Sequence, residues 1–222
     1  MTQEATKDKQ PLEQIQEAYE KNKNLFIGIG VVIVLVVAFF LYRGYQKTSQ
    51  TKAAAPLMEM PQQYFAADSF NLALYGDGLN PGFLEIIDKY GRSKYGNLAE
   101  YYAGVSFLQL GDYENAITYL KSFSTESEML RARKYESLGH AYAQIGDTDA
   151  AMSQYKKAYK AVENDFYTPY LLQLAGDFMM QQGDFEGALQ VYEEIQQQYP
   201  NSREGQQINR FIEHAEAEAK KS

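Results

Sequence analysis

The sequence predicts an all-α protein: a single transmembrane helix followed by an α-solenoid of stacked helix pairs. Two observations carry this. An uncharged run of 18 residues, Leu25 to Tyr42, lies near the N-terminus. Beyond it a glycine-aspartate corner recurs three times at nearly constant spacing.

The first 24 residues read as a short polar tail. Leu12, Ile15 and Tyr19 fall at helical spacing, so its second half is expected to be helical. The apolar run then reads LFIGIGVVIVLVVAFFLY. As a helix it spans about 27 Å, close to a hydrocarbon core of about 30 Å. Lys21 and Lys23 flank one end, Arg43 and Lys47 the other. Phe39, Phe40, Tyr42 and Tyr45 suit one headgroup layer. A cleaved signal peptide has a shorter apolar stretch and small residues at its cleavage site. Here Phe39, Phe40 and Tyr42 occupy that place, so the anchor is expected to be retained. Gly28 and Gly30 allow close approach of another membrane helix. Lysine and arginine are nearly balanced on the two sides, so charge does not orient the span. Residues 43–55 are expected to continue as a helical linker.

The repeats occupy residues 56–222. Gly111-Asp112, Gly146-Asp147 and Gly183-Asp184 are offset by 35 and 37 residues, near the tetratricopeptide period of about 34. Each glycine is expected to close a helix in a left-handed cap. Each aspartate is expected to cap the next helix. Five residues after the glycines come Ala116, Ala151 and Ala188, small where two helices cross. Seven before lie Gly104, Gly139 and Gly176; four before lie Phe107, Tyr142 and Met179; nine after lie Leu120, Tyr155 and Tyr192. This places repeats at about 97–130, 131–167 and 168–200, with a capping helix at 201–219. Thr125 to Glu128 reads as a capping box, Thr168-Pro169 as a helix start, and Asn201 or Ser202 as the cap of the last helix. A degenerate unit at 56–96 has Phe83 to Tyr90 as its second helix. Residues 54–67 would be the partner, with an unusually long insertion from Asp68 to Gly82 between them.

The composition narrows the function. With 21 basic against 29 acidic residues the formal charge is -8, which excludes nucleic acid as a natural partner. With no cysteine there is no disulfide, thiolate zinc site or lipidated cysteine. No phosphate-binding glycine loop, metal motif or serine elbow is present, and the two histidines, His140 and His214, fall in different units. The sequence therefore predicts no catalytic residue, no metal and no cofactor.

The first helix of each unit is expected to line a binding groove. Counting back from the motif glycines gives Leu98, Tyr101, Val105 and Leu108 in the first unit. The second contributes Arg133, Glu136, His140 and Gln144, and the third Tyr170, Gln173, Asp177 and Met180. Tetratricopeptide domains that clamp a terminal carboxylate place lysine and asparagine there. Tyr101, Val105, Glu136 and Asp177 stand in those places, so an apolar or weakly basic segment fits better.

With its polar tail, single anchor and acidic repeat domain, and with FLEIIDKYG and NLAEYYAGVSFLQLG between Phe83 and Gly111, the chain resembles membrane-anchored tetratricopeptide repeat proteins of the YfgM type, in their Bacteroidota version. That resemblance implies a bacterial inner-membrane protein with a cytoplasmic N-terminus and periplasmic repeats. It implies Sec translocon subunits and a PpiD-like membrane-anchored chaperone as partners, with nascent exported polypeptide as a further one. The implied role is a non-enzymatic link between emerging secretory proteins and that chaperone. Two other functions fit the same architecture: a cytoplasm-facing adaptor that recruits a protease or enzyme to the membrane, and a structural envelope assembly factor.

Overall fold

The computed structural model describes residue 20 and residues 22–221. The helical reading of Leu12 to Tyr19 lies outside them. The chain divides into two compact units, residues 1–49 and 50–222. The described residues form helices and their connections, with no strand among them.

Helix α1 runs from Lys23 to Ala54. At about 1.5 Å per residue it is longer than a hydrocarbon core. Its apolar side chains are exposed on every face: Val32, Ile33, Val34 and Leu35, four in succession, are each more than half exposed. A helix apolar all round is suited to wholly apolar surroundings such as a lipid core. By length and composition α1 can cross a membrane.

The second unit opens with a 3-10 turn at Pro56–Met58, followed by α2 (Glu59–Ala66), α3 (Phe70–Tyr75) and α4 (Phe83–Tyr90). Phe83 and Ile86 of α4 are fully buried. The segment Asp68 to Gly82, expected to be an insertion between two helices, contains α3. Its Ala73 and Leu74 are fully buried in the same core. The remainder is a built loop. Asp77 accepts hydrogen bonds from the Leu79 and Asn80 amides at 2.8 and 2.6 Å, and from the Tyr64 hydroxyl at 2.6 Å. These donors hold the Asp77 carboxyl well below its usual range.

Three helix pairs follow: α5 (Lys94–Gln109) with α6 (Tyr113–Ser122), α7 (Glu128–Gln144) with α8 (Thr148–Lys160), and α9 (Tyr167–Gln181) with α10 (Phe185–Gln198). A 3-10 turn at Gly205–Gln207 leads into α11 (Ile208–Ala219). The corners have the expected chemistry. Gly111, Gly146 and Gly183 adopt φ of 79°, 80° and 78°. The amides of Asp112, Asp147 and Asp184 donate back to the carbonyls of Phe107, Tyr142 and Met179 at 2.9–3.0 Å, closing a Schellman motif. The same aspartates accept the amides of Asn115, Ala150 and Gly187 at 3.2, 3.1 and 3.0 Å. One residue thus ends one helix and starts the next, which leaves no slack and folds the pair back on itself. Each cap contributes about 1 kcal/mol.

Packing explains the flanking pattern. A Cβ on Gly104 would lie 2.6 Å from Leu120 Cγ, one on Gly139 2.5 Å from Tyr155 Cδ1, and one on Gly176 as close to the Tyr192 ring. The small residue seven before each corner is a notch for the large residue nine after it. Ala116, Ala151 and Ala188 are fully buried.

Three helix starts differ from the sequence reading. Ser127, not Thr125, caps α7, accepting the Leu130 amide at 3.4 Å; the Thr125 hydroxyl is occupied by the Ser127 amide at 3.1 Å. Helix α9 starts before Thr168 because Asn164 Oδ1 takes the amides of Phe166 and Tyr167 at 3.0 and 2.9 Å. Thr168 instead donates to the Val162 carbonyl at 2.9 Å. Ser202 caps the 3-10 turn through the Gly205 amide at 2.9 Å, and α11 begins later, at Ile208.

Candidate protein-binding groove

The first helices of the second and third pairs bring their polar residues to one surface. Glu136 of α7 and Tyr170 of α9 line a hollow of about 480 Å³ with Arg133, Phe166, Tyr167 and Arg203. A second hollow of about 260 Å³ adjoins it through Tyr170, Arg203 and Glu204. Gln173, Asp177 and Arg210 also line this second hollow. Together they form a groove that runs along α9 and is closed on one side by the segment after Pro200.

Glu136 anchors the groove. Its Oε1 accepts the Tyr170 hydroxyl at 2.9 Å, and its Oε2 accepts that of Tyr167. The two rings stack with centroids 5.8 Å apart, and the Arg133 guanidinium lies 5.3 Å over the Tyr167 ring. Burial, then the charge and hydrogen bond of Glu136, push the Tyr170 hydroxyl up to about 12 and raise Tyr167 as well. Both stay protonated donors at neutral pH. Asp177 accepts the Tyr192 hydroxyl at 2.7 Å, and burial raises its carboxyl despite that bond. Glu136 and Asp177 are therefore held by tyrosines, while Glu204 stands at the wall with Arg133, Arg203 and Arg210.

The turn after Pro200 folds Arg203 and Arg210 against α9, so with Arg133, Glu136, Asp177 and Glu204 the walls of this tyrosine-bearing groove carry both signs of charge. Phe166, 87% exposed, stands at the lip.

The remaining predicted contacts lie elsewhere. Leu98 and Leu108 pack against the core of the first helices, and Val105 is half-buried. The Tyr101 ring packs against Tyr102 and Phe123, centroids 5.7 and 5.2 Å away. His140 sits behind the groove, its Nδ1 3.1 Å from the Tyr155 hydroxyl, and burial lowers its pKa. Met180 packs into the C-terminal core, and Gln144 is exposed. On α1, a Cβ on Gly28 or Gly30 would meet nothing within 4 Å. Sequence reasoning missed Phe166, Tyr167, Arg203, Glu204 and Arg210. The first two carried a signal in the Asn164-Asp165 turn that presents them; the others depend on a chain reversal that no periodicity encodes.

No curated protein matches the chain. The tetratricopeptide repeat-like domain family matches residues 18–213, from the end of the tail to the last helix. Three Schellman corners, three aspartate caps and three glycine notches agree with that match, and the chain belongs to the tetratricopeptide repeat-like domain family.

Proposed function

We propose that the chain is a non-enzymatic, membrane-anchored scaffold whose groove at Glu136, Tyr170, Gln173 and Asp177 holds a segment of another polypeptide. The observation that carries this is the pair of adjoining hollows along α9, walled by pinned tyrosines and open beside the exposed Phe166. Rings fixed by hydrogen bonds lose little conformational entropy on binding. Residues 25–42 serve as the span, 43–55 as its helical continuation, and 56–222 as the binding domain. Gly28 and Gly30 offer a bare stripe for a neighbouring membrane helix.

The partners that fit are those implied by the resemblance to the YfgM type. The chain acts as an ancillary subunit of the Sec translocon in the bacterial inner membrane. Its N-terminus lies in the cytoplasm and its repeats in the periplasm, where they link emerging secretory proteins to a PpiD-like chaperone. Supporting this reading are the order of elements, the match to the repeat family and the apolar α1. Copurification after mild crosslinking in native membranes tests it. Recovery of translocon subunits together with a membrane-anchored chaperone is expected. Recovery of cytoplasmic enzymes and no translocon subunit would instead favour the adaptor.

A further inference from the structure

Helix α7 carries a second surface. At about 100° per residue, Arg131 and Tyr135 point roughly 100–180° away from Glu136 and His140. With Met152, Lys156, Lys157 and Lys160 of α8 they line an open cleft of about 600 Å³. Its floor is apolar. Tyr135 packs on the core of Ala132, Ala158, Val162 and Leu171, and Met152 packs on that of Ala151, Tyr155, Ala175 and Phe178. The Lys157 ammonium lies 5.9 Å over the Tyr135 ring.

The charge of this cleft runs against that of the chain. Four cations surround it in a protein of formal charge -8. Among the described residues none of the four forms an ion pair, although Asp149 lies on the same wall. The dipole at the end of α8 accounts for Lys157 and Lys160. It does not account for Arg131, which enters from α7, or for an apolar floor beneath the charges.

We propose that this cleft is a second docking site, for an acidic segment of a partner protein with an apolar side chain between its carboxylates. The carboxylates would meet Arg131, Lys156 and Lys160, and the apolar side chain would rest on Met152 and Tyr135. A nucleic-acid phosphate backbone could meet the cations but supplies no aliphatic group for that floor. The site is independent of the groove, so one unit can hold two partners at once on opposite faces of α7.

The test uses the full chain in detergent micelles and a fluorescent probe peptide, acetyl-Asp-Glu-Leu-Glu-Asp-Leu-Asp-amide, followed by polarisation at low salt. Saturable binding is expected. The double variant Arg131→Glu, Lys156→Glu should weaken it at least tenfold, while Tyr170→Ala, in the groove, should leave it unchanged. Helical content and melting of each variant show that it is folded, and a single variant, Lys160→Glu, gives a milder loss should the double variant fail to fold. Four results would overturn the proposal. These are equal affinity for the charge-reversed chain, absence of binding, equal binding of a single-stranded RNA of the same charge, or loss of a dimer on charge reversal, which would make a second copy the occupant.

Discussion

Tyr192→Ala is expected to destabilise the third repeat by about 3–5 kcal/mol, the range for removing a buried aromatic ring. Tyr192 is 1% exposed, and its ring fills the notch at Gly176 and leans on Phe211 with centroids 5.7 Å apart. The neighbouring Leu172, Ile195 and Ile208 are fully buried and have no side chain free to fill the void. The hydroxyl also holds Asp177, so the substitution leaves that half-buried carboxylate without its 2.7 Å donor. Tyr192→Phe separates the two effects: it keeps the ring and should cost about 1 kcal/mol. Thermal melting of the full chain in detergent reads both. Because repeats are coupled chiefly to their neighbours, the Tyr192→Ala loss should appear as early melting of α9 to α11. Equal melting of Tyr192→Ala and wild type would mean that the ring is not the key of that repeat.

Gly139→Ala and Gly176→Ala are expected to cost about 1–3 kcal/mol each by overpacking. Intrinsic helix preference has the opposite sign, since alanine is favoured over glycine by up to about 1 kcal/mol inside a helix. Packing decides the outcome, because the added Cβ meets buried rings, Tyr155 at 2.5 Å and Tyr192 as closely. Those rings are tied by their hydroxyls to His140 and Asp177 and cannot swing aside. Gly44→Ala in α1 is the control: nothing lies within 4 Å of its Cβ, so only the helix preference remains. Pairing Gly176→Ala with Tyr192→Leu should recover part of the loss, a coupling expected only for residues in direct contact. Additive losses in that double-mutant cycle would show that the notch and the ring do not meet.

These two predictions rest on features that were legible in the sequence. The corner glycines and aspartates recur at a fixed offset, and a left-handed cap followed at once by a side-chain cap requires those residue types in that order. The small residue seven before and the large residue nine after each corner were visible as a pattern, and their direct contact supplies its cause. What was not legible depended on long-range geometry. Phe70 to Tyr75 is too short for helical periodicity to stand out, and it is helical because Ala73 and Leu74 complete the core around Phe83. Arg203 and Arg210 enter the groove through the reversal after Pro200, and Glu136 of α7 accepts hydrogen bonds from tyrosines 31 and 34 residues away. Counting back from the glycines found the correct helices but could not distinguish side chains lining the groove from those such as Leu98 and Met180 that pack between helices.

The central claim is that the hollow beside Glu136 and Tyr170 receives a polypeptide while α1 holds the chain in the membrane. A photo-crosslinking amino acid placed at Tyr170 of the full chain, irradiated in native membranes, tests it most directly. Adducts with a translocon subunit, a membrane-anchored chaperone or an exported polypeptide are expected, and none from the same probe at the buried Leu171. Adducts confined to probes elsewhere on the surface, with Tyr170 silent, would contradict it.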